Sequence, residues 1–342
     1  MTEFYTGLAS ALRVQRRGLR QTVMSAMTMA VAAVPAGSTY AQGYPNRALK
    51  MIVPMATGGP ADTGARLFAS ALGESLGQNI VVENRSGASG VVGTEAVINA
   101  PADGYTLLFG SSSVFAVNPA VLKGLRFDVR KDIKLIGLIM QTDLVVAARP
   151  GIEARGLADV VRMAKAQPGK LSFASSGAGG ITHLLAELVG LETGINLLSI
   201  HFRGAGPAVI GILAGDADLT ASGLVGLSSH IKSGKAIGIG VSSDKRSRLL
   251  PELPTFAEQG YPGIVAQNWY GMAVSSRTPA DIVLKLDTAT SQITSSSGFQ
   301  AALEKIGMEP LVMNATQSAA FIERELDKWA RVATSAKIQL DQ

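Results

Sequence analysis

The chain has no cysteine in 342 residues. That excludes disulfides, thiolate metal sites, thiol nucleophiles and a lipid-anchoring cysteine. Histidine is nearly as scarce: His183, His201 and His230 are the whole complement. Three leave little for a histidine-rich metal centre, and no HxH or HExxH spacing occurs. Aromatic residues are only 5%, which argues against a base-stacking nucleic-acid surface. Charged residues are 17%, and the net charge of +5 is concentrated at one end. Residues 1–41 hold Arg13, Arg16, Arg17 and Arg20 against one acid, Glu3. The remainder is close to neutral and has no Lys/Arg cluster, so no polyanion partner is implied. What the chain does have is apolar content, 47%. That excludes a disordered chain and suits one large or two medium domains.

Residues 13–20 (RVQRRGLR) form a basic stretch, and residues 22–34 (TVMSAMTMAVAAV) an apolar run of small residues and methionines. Pro35, Gly37 and the small-residue site Thr39-Tyr40-Ala41 follow. This is the order of a secretory signal, with cleavage expected near Ala41. The apolar run is shorter than the roughly 20 residues of a membrane span. Arg16-Arg17 also has the form of a twin-arginine signal, leaving the export route open. The expected mature protein is exported and soluble, and a cysteine-free chain tolerates an oxidising compartment.

The mature chain alternates strand and helix signals. Residues 50–54 (KMIVP) read as a buried strand, and Ala65, Phe68, Leu72 and Leu76 mark one face of a helix after Pro60. Strands are also expected over residues 80–83, 105–109, 171–174, 195–202, 218–221 and 237–241. Glycine-rich turns and helices stand between them. The pattern predicts an α/β fold with mostly parallel sheets. Residues 144–149 and 265–274 read as crossings between two lobes. The expected division is a signal over 1–41, one lobe from 42–144 plus 270–342, and a second from 145–269. Such lobes enclose a cleft and close on a ligand.

Polar glycine-rich turns follow the strand ends: Thr57, Gly58 and Gly59; Ser112 and Ser113; Ser175, Ser176 and Gly177; Arg203; and Ser222. In open α/β sheets, ligands bind beyond the carboxyl ends of the strands. Helix N-termini there offer unpaired N–H groups to a small anion, above all a carboxylate. Backbone N–H groups around Gly58 and Gly177 are expected to take part. No GxxxxGK[ST] occurs and no GxGxxG follows a strand, so no nucleotide or other cofactor is expected. Two readings of Arg203 stand: a bidentate grip on a ligand carboxylate, or a surface or interlobe ion pair. Trp269 and Tyr270 either wall the cleft or belong to the hinge core. A serine hydrolase lacks GxSxG and shows no base near Ser175 and Ser176; His183 reads as a turn-stabilising residue and His201 as a structural one.

These residues carry a resemblance. Residues 44–54 (YPNRALKMIVP), Gly58-Gly59 with Asp62, residues 81–87 (VVENRSG) and residues 101–108 (PADGYTLL) contribute to it. So do residues 175–179 with His183, Arg203-Gly204 with Pro207, and residues 248–260 (RLLPELPTFAEQG). Together they resemble the solute receptors of tripartite tricarboxylate transporters, the Bug (Bordetella uptake gene) family, over nearly all of the mature chain. The resemblance implies a periplasmic, non-enzymatic protein of two α/β domains in the type II binding-protein arrangement. It implies a monomer that binds a small carboxylate and hands it to a permease of one large and one small subunit, with no nucleic-acid partner. A ligand-sensing subunit for a membrane sensor kinase is the alternative role. The chain departs from the family at four turns. Met55-Ala56-Thr57 replace a Phe-Pro-Pro run, Gly180 a threonine or serine, Phe202-Arg203 a Tyr-Lys pair, and Ser222-Gly223 an Asp-Asn pair.

Overall fold

The computed structural model describes residues 43–313 and 315–341. The expected signal segment and its cleavage near Ala41 lie outside the described residues. The first half of the fold is built from β1 (Leu49–Val53), α1 (Pro60–Leu76), β2 (Ile80–Asn84), α2 (Val91–Ile98) and β3 (Thr106–Ser111). Short helices α3 (Asn118–Val121) and α4 (Val129–Asp132) lead into β4 (Ile133–Ala148). Then come α5 (Leu157–Ala166), β5 (Ser172–Ser175), α6 (Ile181–Thr193), β6 (Leu198–His201), α7 (Ala205–Ala214), β7 (Leu219–Gly223), α8 (Leu224–Lys232) and β8 (Ile237–Val241). The chain returns through β9 (Gln267–Ser275), α9 (Ala280–Ser295), α10 (Ser297–Lys305), β10 (Glu309–Pro310) and α11 (Ala315–Ser335).

Local chemistry explains the boundaries. Pro60 stands in the first turn of α1, where its missing N–H is no loss. Gly77 ends that helix in the left-handed conformation at φ 68°, which costs glycine nothing. Ala65, Phe68 and Leu72 are fully buried on the predicted face. No described helix is long and apolar enough to cross a membrane.

The expectation of mostly parallel sheets needs correction. β1 runs parallel to β2 and β3, and β5 parallel to β6 and β7. Between these two parallel groups stand β4 and β9, each antiparallel to its neighbours. β4 is far longer than the expected crossing at 144–149: it has 16 residues. It pairs with β9 from Ile133 to Asp143, then with β7 and β8 from Leu144 to Ala148. β4 thus pairs through β9 with the first parallel group and through β7 with the second. The two parallel groups therefore share one continuous backbone.

Large side chains fill the junction. Trp269 is fully buried and stacks on Phe115, with centroids 5.9 Å apart. Tyr270 stacks on Phe109 at 6.1 Å. Of the two readings of Trp269 and Tyr270, burial in the core of the crossing strands is what the structure shows.

Asp143 lies at this junction, buried, and accepts from Gln267 Nε2 at 2.8 Å. Burial raises its pKa above the usual carboxylate value, against the lowering effect of the Gln267 and Ser243 hydrogen bonds. A raised folded-state pKa means that stability is lost as pH rises through it and regained as pH falls towards the unfolded value. Asp143→Asn is therefore expected to melt higher than the wild type at pH 7, with the difference shrinking as pH falls towards about 4. Melting curves across that range check it; a variant less stable at pH 7 contradicts it.

Candidate functional site

The first loop follows β1. Thr57 and Gly58 are exposed, Gly59 is half-buried, and Gly58 adopts φ 84°. The Gly58 N–H donates to Asp62 Oδ2 at 2.9 Å, and Arg66 Nη2 lies 3.0 Å from Asp62 Oδ1. Burial opposes ionisation of Asp62, but the Arg66, Gly58 and Asn84 hydrogen bonds outweigh it and lower its pKa. Asn84 Nδ2 also donates to the Met55 carbonyl at 3.1 Å. The expectation for this loop is corrected in one respect. The Gly58 amide is consumed by Asp62, which shapes the loop, and is not free for a ligand.

The second loop follows β3, whose Leu108 pairs with Ile52 of β1. Both loops therefore leave the same edge. Ser112 is fully buried and its Oγ donates to Asn268 Oδ1 at 2.9 Å. Ser113 is half-buried and opens a π-helical turn, Ser113–Val117. Such turns recur at functional sites.

The third and fourth loops follow β5 and β6. Ser176 N–H donates to Thr182 Oγ1 at 2.8 Å, and the two hydroxyls lie 2.8 Å apart. The Gly179 N–H donates to His183 Nδ1 at 3.0 Å, and His183 Nε2 lies 3.5 Å from Glu187 Oε1. His183 thus holds the turn, as its sequence position suggests. The amides of Gly177 and Ala178 take no acceptor among the described residues. Gly177 adopts φ 150°. The fourth loop is tied to the third: Phe202 N–H donates to the Ser175 carbonyl at 2.9 Å and Gly204 N–H to the Ser176 carbonyl at 3.1 Å. Arg203 is exposed and makes no ion pair among the described residues. The interlobe ion-pair reading of Arg203 is not observed.

Ser175 is the second correction. It is fully buried, with Oγ 2.7 Å from His201 Nδ1 and 3.3 Å from the Gly177 carbonyl oxygen. A base does stand beside a serine, supplied by the neighbouring parallel strand, where Ser175 and His201 are register partners. The His201 ring meets the His183 ring at 4.5 Å. Burial and the nearby His183 lower the His201 pKa. The serine, however, lies under its loop with no exposure, so this pair orders the loop base.

The fifth loop closes the set. Ser222 is buried near the end of β7, and Gly223 pairs with Leu144 of β4. A Cβ added at Gly223 would stand 3.7 Å from Thr142 Oγ1. Thr142 in turn pairs with Asn268 across β4 and β9. A path therefore runs from Ser112 through Asn268 and Thr142 to Gly223 and Ser222, joining the loops of the two parallel groups. Ser176 and Ser222 lie two residues beyond the Ala174–Thr220 pair and leave one edge together.

Asn268 is the residue that sequence reasoning missed. Its Oδ1 accepts from Ser112 and its Nδ2 donates to Tyr270 Oη at 2.8 Å, which fixes the amide orientation. One N–H remains without an acceptor among the described residues. Burial pushes the Tyr270 phenol up, so it stays a neutral hydroxyl. A signal for Asn268 does exist: Gln267 and Asn268 are polar residues at the mouth of an otherwise apolar strand. A separate surface groove, lined by Leu67, Ser70, Glu74, Gln292 and Phe299, involves none of the loop residues. No group of three or more metal-ligating side chains occurs among the described residues.

Comparisons with known proteins agree with this architecture. The model of the "Tripartite tricarboxylate transporter family receptor" matches residues 65–338. The chain is 35% identical over 302 residues to "Protein BugT" of Bordetella pertussis (strain Tohama I), covering 87% of this chain and 93% of that protein. Among solved structures, "R. palustris Rpa4515 with adipate" superposes with a TM-score of 0.76 at 30% identity. It covers 87% of this chain and all of that one. "Structure of periplasmic binding protein BugD" gives 0.72 at 31% identity, with the same coverage. The family model describes a receptor and BugD is a periplasmic binding protein, so the family is one of binding proteins and not of enzymes. The match over most of its length shows that this chain belongs to the tripartite tricarboxylate transporter family of receptors.

Proposed function

We propose that this protein captures a small carboxylate between two lobes, 42–144 plus 270–342 and 145–269, and delivers it to a membrane permease of one large and one small subunit. The change of β4 partners between Asp143 and Leu144 supports the boundary. The adipate that accompanies the 30% identical Rpa4515 structure supports the ligand class. The basic, apolar and small-residue order of residues 1–41 supports export to the periplasm.

One observation supports the reading: a run of contacts from Ser112 through Asn268 and Thr142 to Gly223 links the loop after β3 with the loop after β7. There the hydroxyls of Thr57, Ser113, Ser176 and Ser222, the spare N–H of Asn268, and the Gly59 and Gly177 amides surround a small anion. Ser112 and Ser175 act from beneath, Ser112 by orienting Asn268 and Ser175 by seating its loop. Each charge-assisted hydrogen bond is worth roughly 1.5–3 kcal/mol net. Three or four, reduced by ordering costs, reach micromolar affinity, about −8 kcal/mol.

A thermal-shift screen of mono- and dicarboxylates tests this. A ligand at 100 times its Kd stabilises by about 2.7 kcal/mol, and absence of a shift with every acid contradicts the reading. Arg203 is the exposed cation beside the third loop. Arg203→Ala is expected to weaken dicarboxylate binding tenfold or more, about 1.4 kcal/mol. An unchanged Kd would return Arg203 to an ordinary surface role.

A further inference from the structure

Resting on the capture reading, we infer that His183 makes ligand binding sensitive to acid, because the third loop is seated on an unprotonated nitrogen of its ring. The Gly179 N–H donates to His183 Nδ1 at 3.0 Å. A ring nitrogen accepts only through its lone pair, so Nδ1 carries no proton in this arrangement and the neutral ring holds its proton on Nε2. Nε2 lies 3.5 Å from Glu187 Oε1. A proton added at Nδ1 turns the acceptor into a second donor. The ring N–H and the Gly179 N–H then oppose one another.

The surroundings make that loss costly. Gly179 and His183 are both buried. A Cβ added at Gly179 would stand 2.5 Å from Leu340 Cδ1 and 3.3 Å from Val121 Cγ2, so apolar side chains close this side of the turn. Leu340 is itself fixed: its N–H donates to the Val121 carbonyl at 2.8 Å, and its carbonyl accepts from the Lys123 N–H at 2.9 Å. A buried amide deprived of its acceptor keeps its full desolvation penalty, so the turn shifts to relieve it. That turn carries the Ser176 hydroxyl and the Gly177 and Ala178 amides, the donors that the capture reading turns towards the anion. One proton thus displaces several ligand contacts together.

A new positive charge could instead attract the anion, so the groups facing the ring decide the sign. Glu187, on the same helix, stands against Nε2 and offsets the imidazolium charge. Glu187 also accepts from Ser199 Oγ at 3.2 Å, which fixes it there. From β6 comes the His201 ring, 4.5 Å away. Its contact with Ser175 Oγ survives in either protonation state, since a hydroxyl both donates and accepts. Arg203 stands two residues beyond His201 and is exposed. From α11, Arg331 is engaged with Glu192. Val121 and Leu340 bring no charge. The proton therefore acts on the loop by breaking its seat, not by attracting the ligand.

The chain's three histidines make the test direct. Protein labelled with heavy nitrogen at histidine is read by NMR from about pH 8 to 5. His183 is expected as the Nε2–H tautomer at the alkaline end, gaining its second proton within the range. Hydrogen exchange over residues 175–180, corrected for the intrinsic effect of pH, is expected to rise about tenfold or more in step with that titration. His183→Asn puts an amide oxygen at the position of Nδ1 and takes up no proton, so its loop is expected to stay protected. Adipate titrations at about pH 7.5 and 5.5 complete the test. The wild-type Kd is expected to rise about tenfold or more beyond the rise in the variant, a comparison in which the ligand's own ionisation cancels. A smaller excess, a His183 that stays neutral throughout, or loop exchange indifferent to its titration overturns the inference and leaves carboxylate capture intact. Adipate bound at neither pH overturns the capture reading, while the exchange result still upholds or overturns the loop's release. Should the variant not fold, the wild-type exchange and nitrogen titrations decide: coinciding midpoints uphold the inference, and separate midpoints overturn it.

Discussion

Replacing Glu325 with alanine is expected to destabilise the protein by about 3–5 kcal/mol. Glu325 is buried on α11, and its Oε2 accepts from two indoles at once, Trp269 Nε1 at 3.2 Å and Trp329 Nε1 at 3.1 Å. Both indoles are fully buried. Lys328 pairs with the other carboxylate oxygen and donates to the Val265 carbonyl at 3.0 Å. Alanine would leave two indole N–H groups without their acceptor and a partly buried ammonium without its counter-ion. Such orphaned groups lose their full desolvation compensation. The effect reaches beyond α11, because Trp269 belongs to the crossing strand β9 and stacks on Phe115 of the second loop's π turn. Urea denaturation at pH 7 measures it. A loss below about 1 kcal/mol would show that the carboxylate is not the clamp its geometry describes.

The largest expected effect on binding comes from Asn268→Asp. The substitution preserves shape, and Ser112 still has an oxygen to donate to, so the fold is expected to survive. What changes is the sign of the group facing the loops. One neutral donor becomes a carboxylate, set where Thr142 and Gly223 approach β9 and where an anion is to bind. Both the lost hydrogen bond and the new repulsion oppose binding. Dicarboxylate affinity is expected to fall at least 100-fold, about 2.7 kcal/mol. Titration calorimetry checks it, with a melting curve as the control for folding. A Kd within threefold of the wild type would remove Asn268 from the site.

Much of the frame was legible in the residues. Pro60, Gly77 and the 65–68–72–76 spacing define α1, and residues 237–241 are the observed β8. Local signals suffice there, because a helix stripe or a short buried strand is written in neighbouring positions. The five polar turns were legible for the same reason: each is a few consecutive residues after an apolar run. The length of β4 was not. Its apolar residues allow helix or strand, and only pairing with β9, more than a hundred residues later, decides between them. The polar Gln141-Thr142-Asp143 inside that run marked the point where the strand changes partners. The Ser175–His201 contact escaped for a related reason. Parallel register, set by a helix between the strands, places the two side by side, and no local spacing encodes it. The engaged state of the Gly58 amide was equally hidden, since Asp62 reads in sequence as an ordinary first-turn acid.

A crystal structure of the protein with adipate bound tests carboxylate capture most directly. Expected is density for the diacid on the crossing strands, hydrogen-bonded on one side to Asn268 and the Thr57–Gly59 or Ser113 turn. On the other side it should meet Ser176, Gly177 or Ser222, with Arg203 turned towards an oxygen. Adipate held by one set of loops alone, or seated in the groove between Leu67 and Phe299, would contradict it.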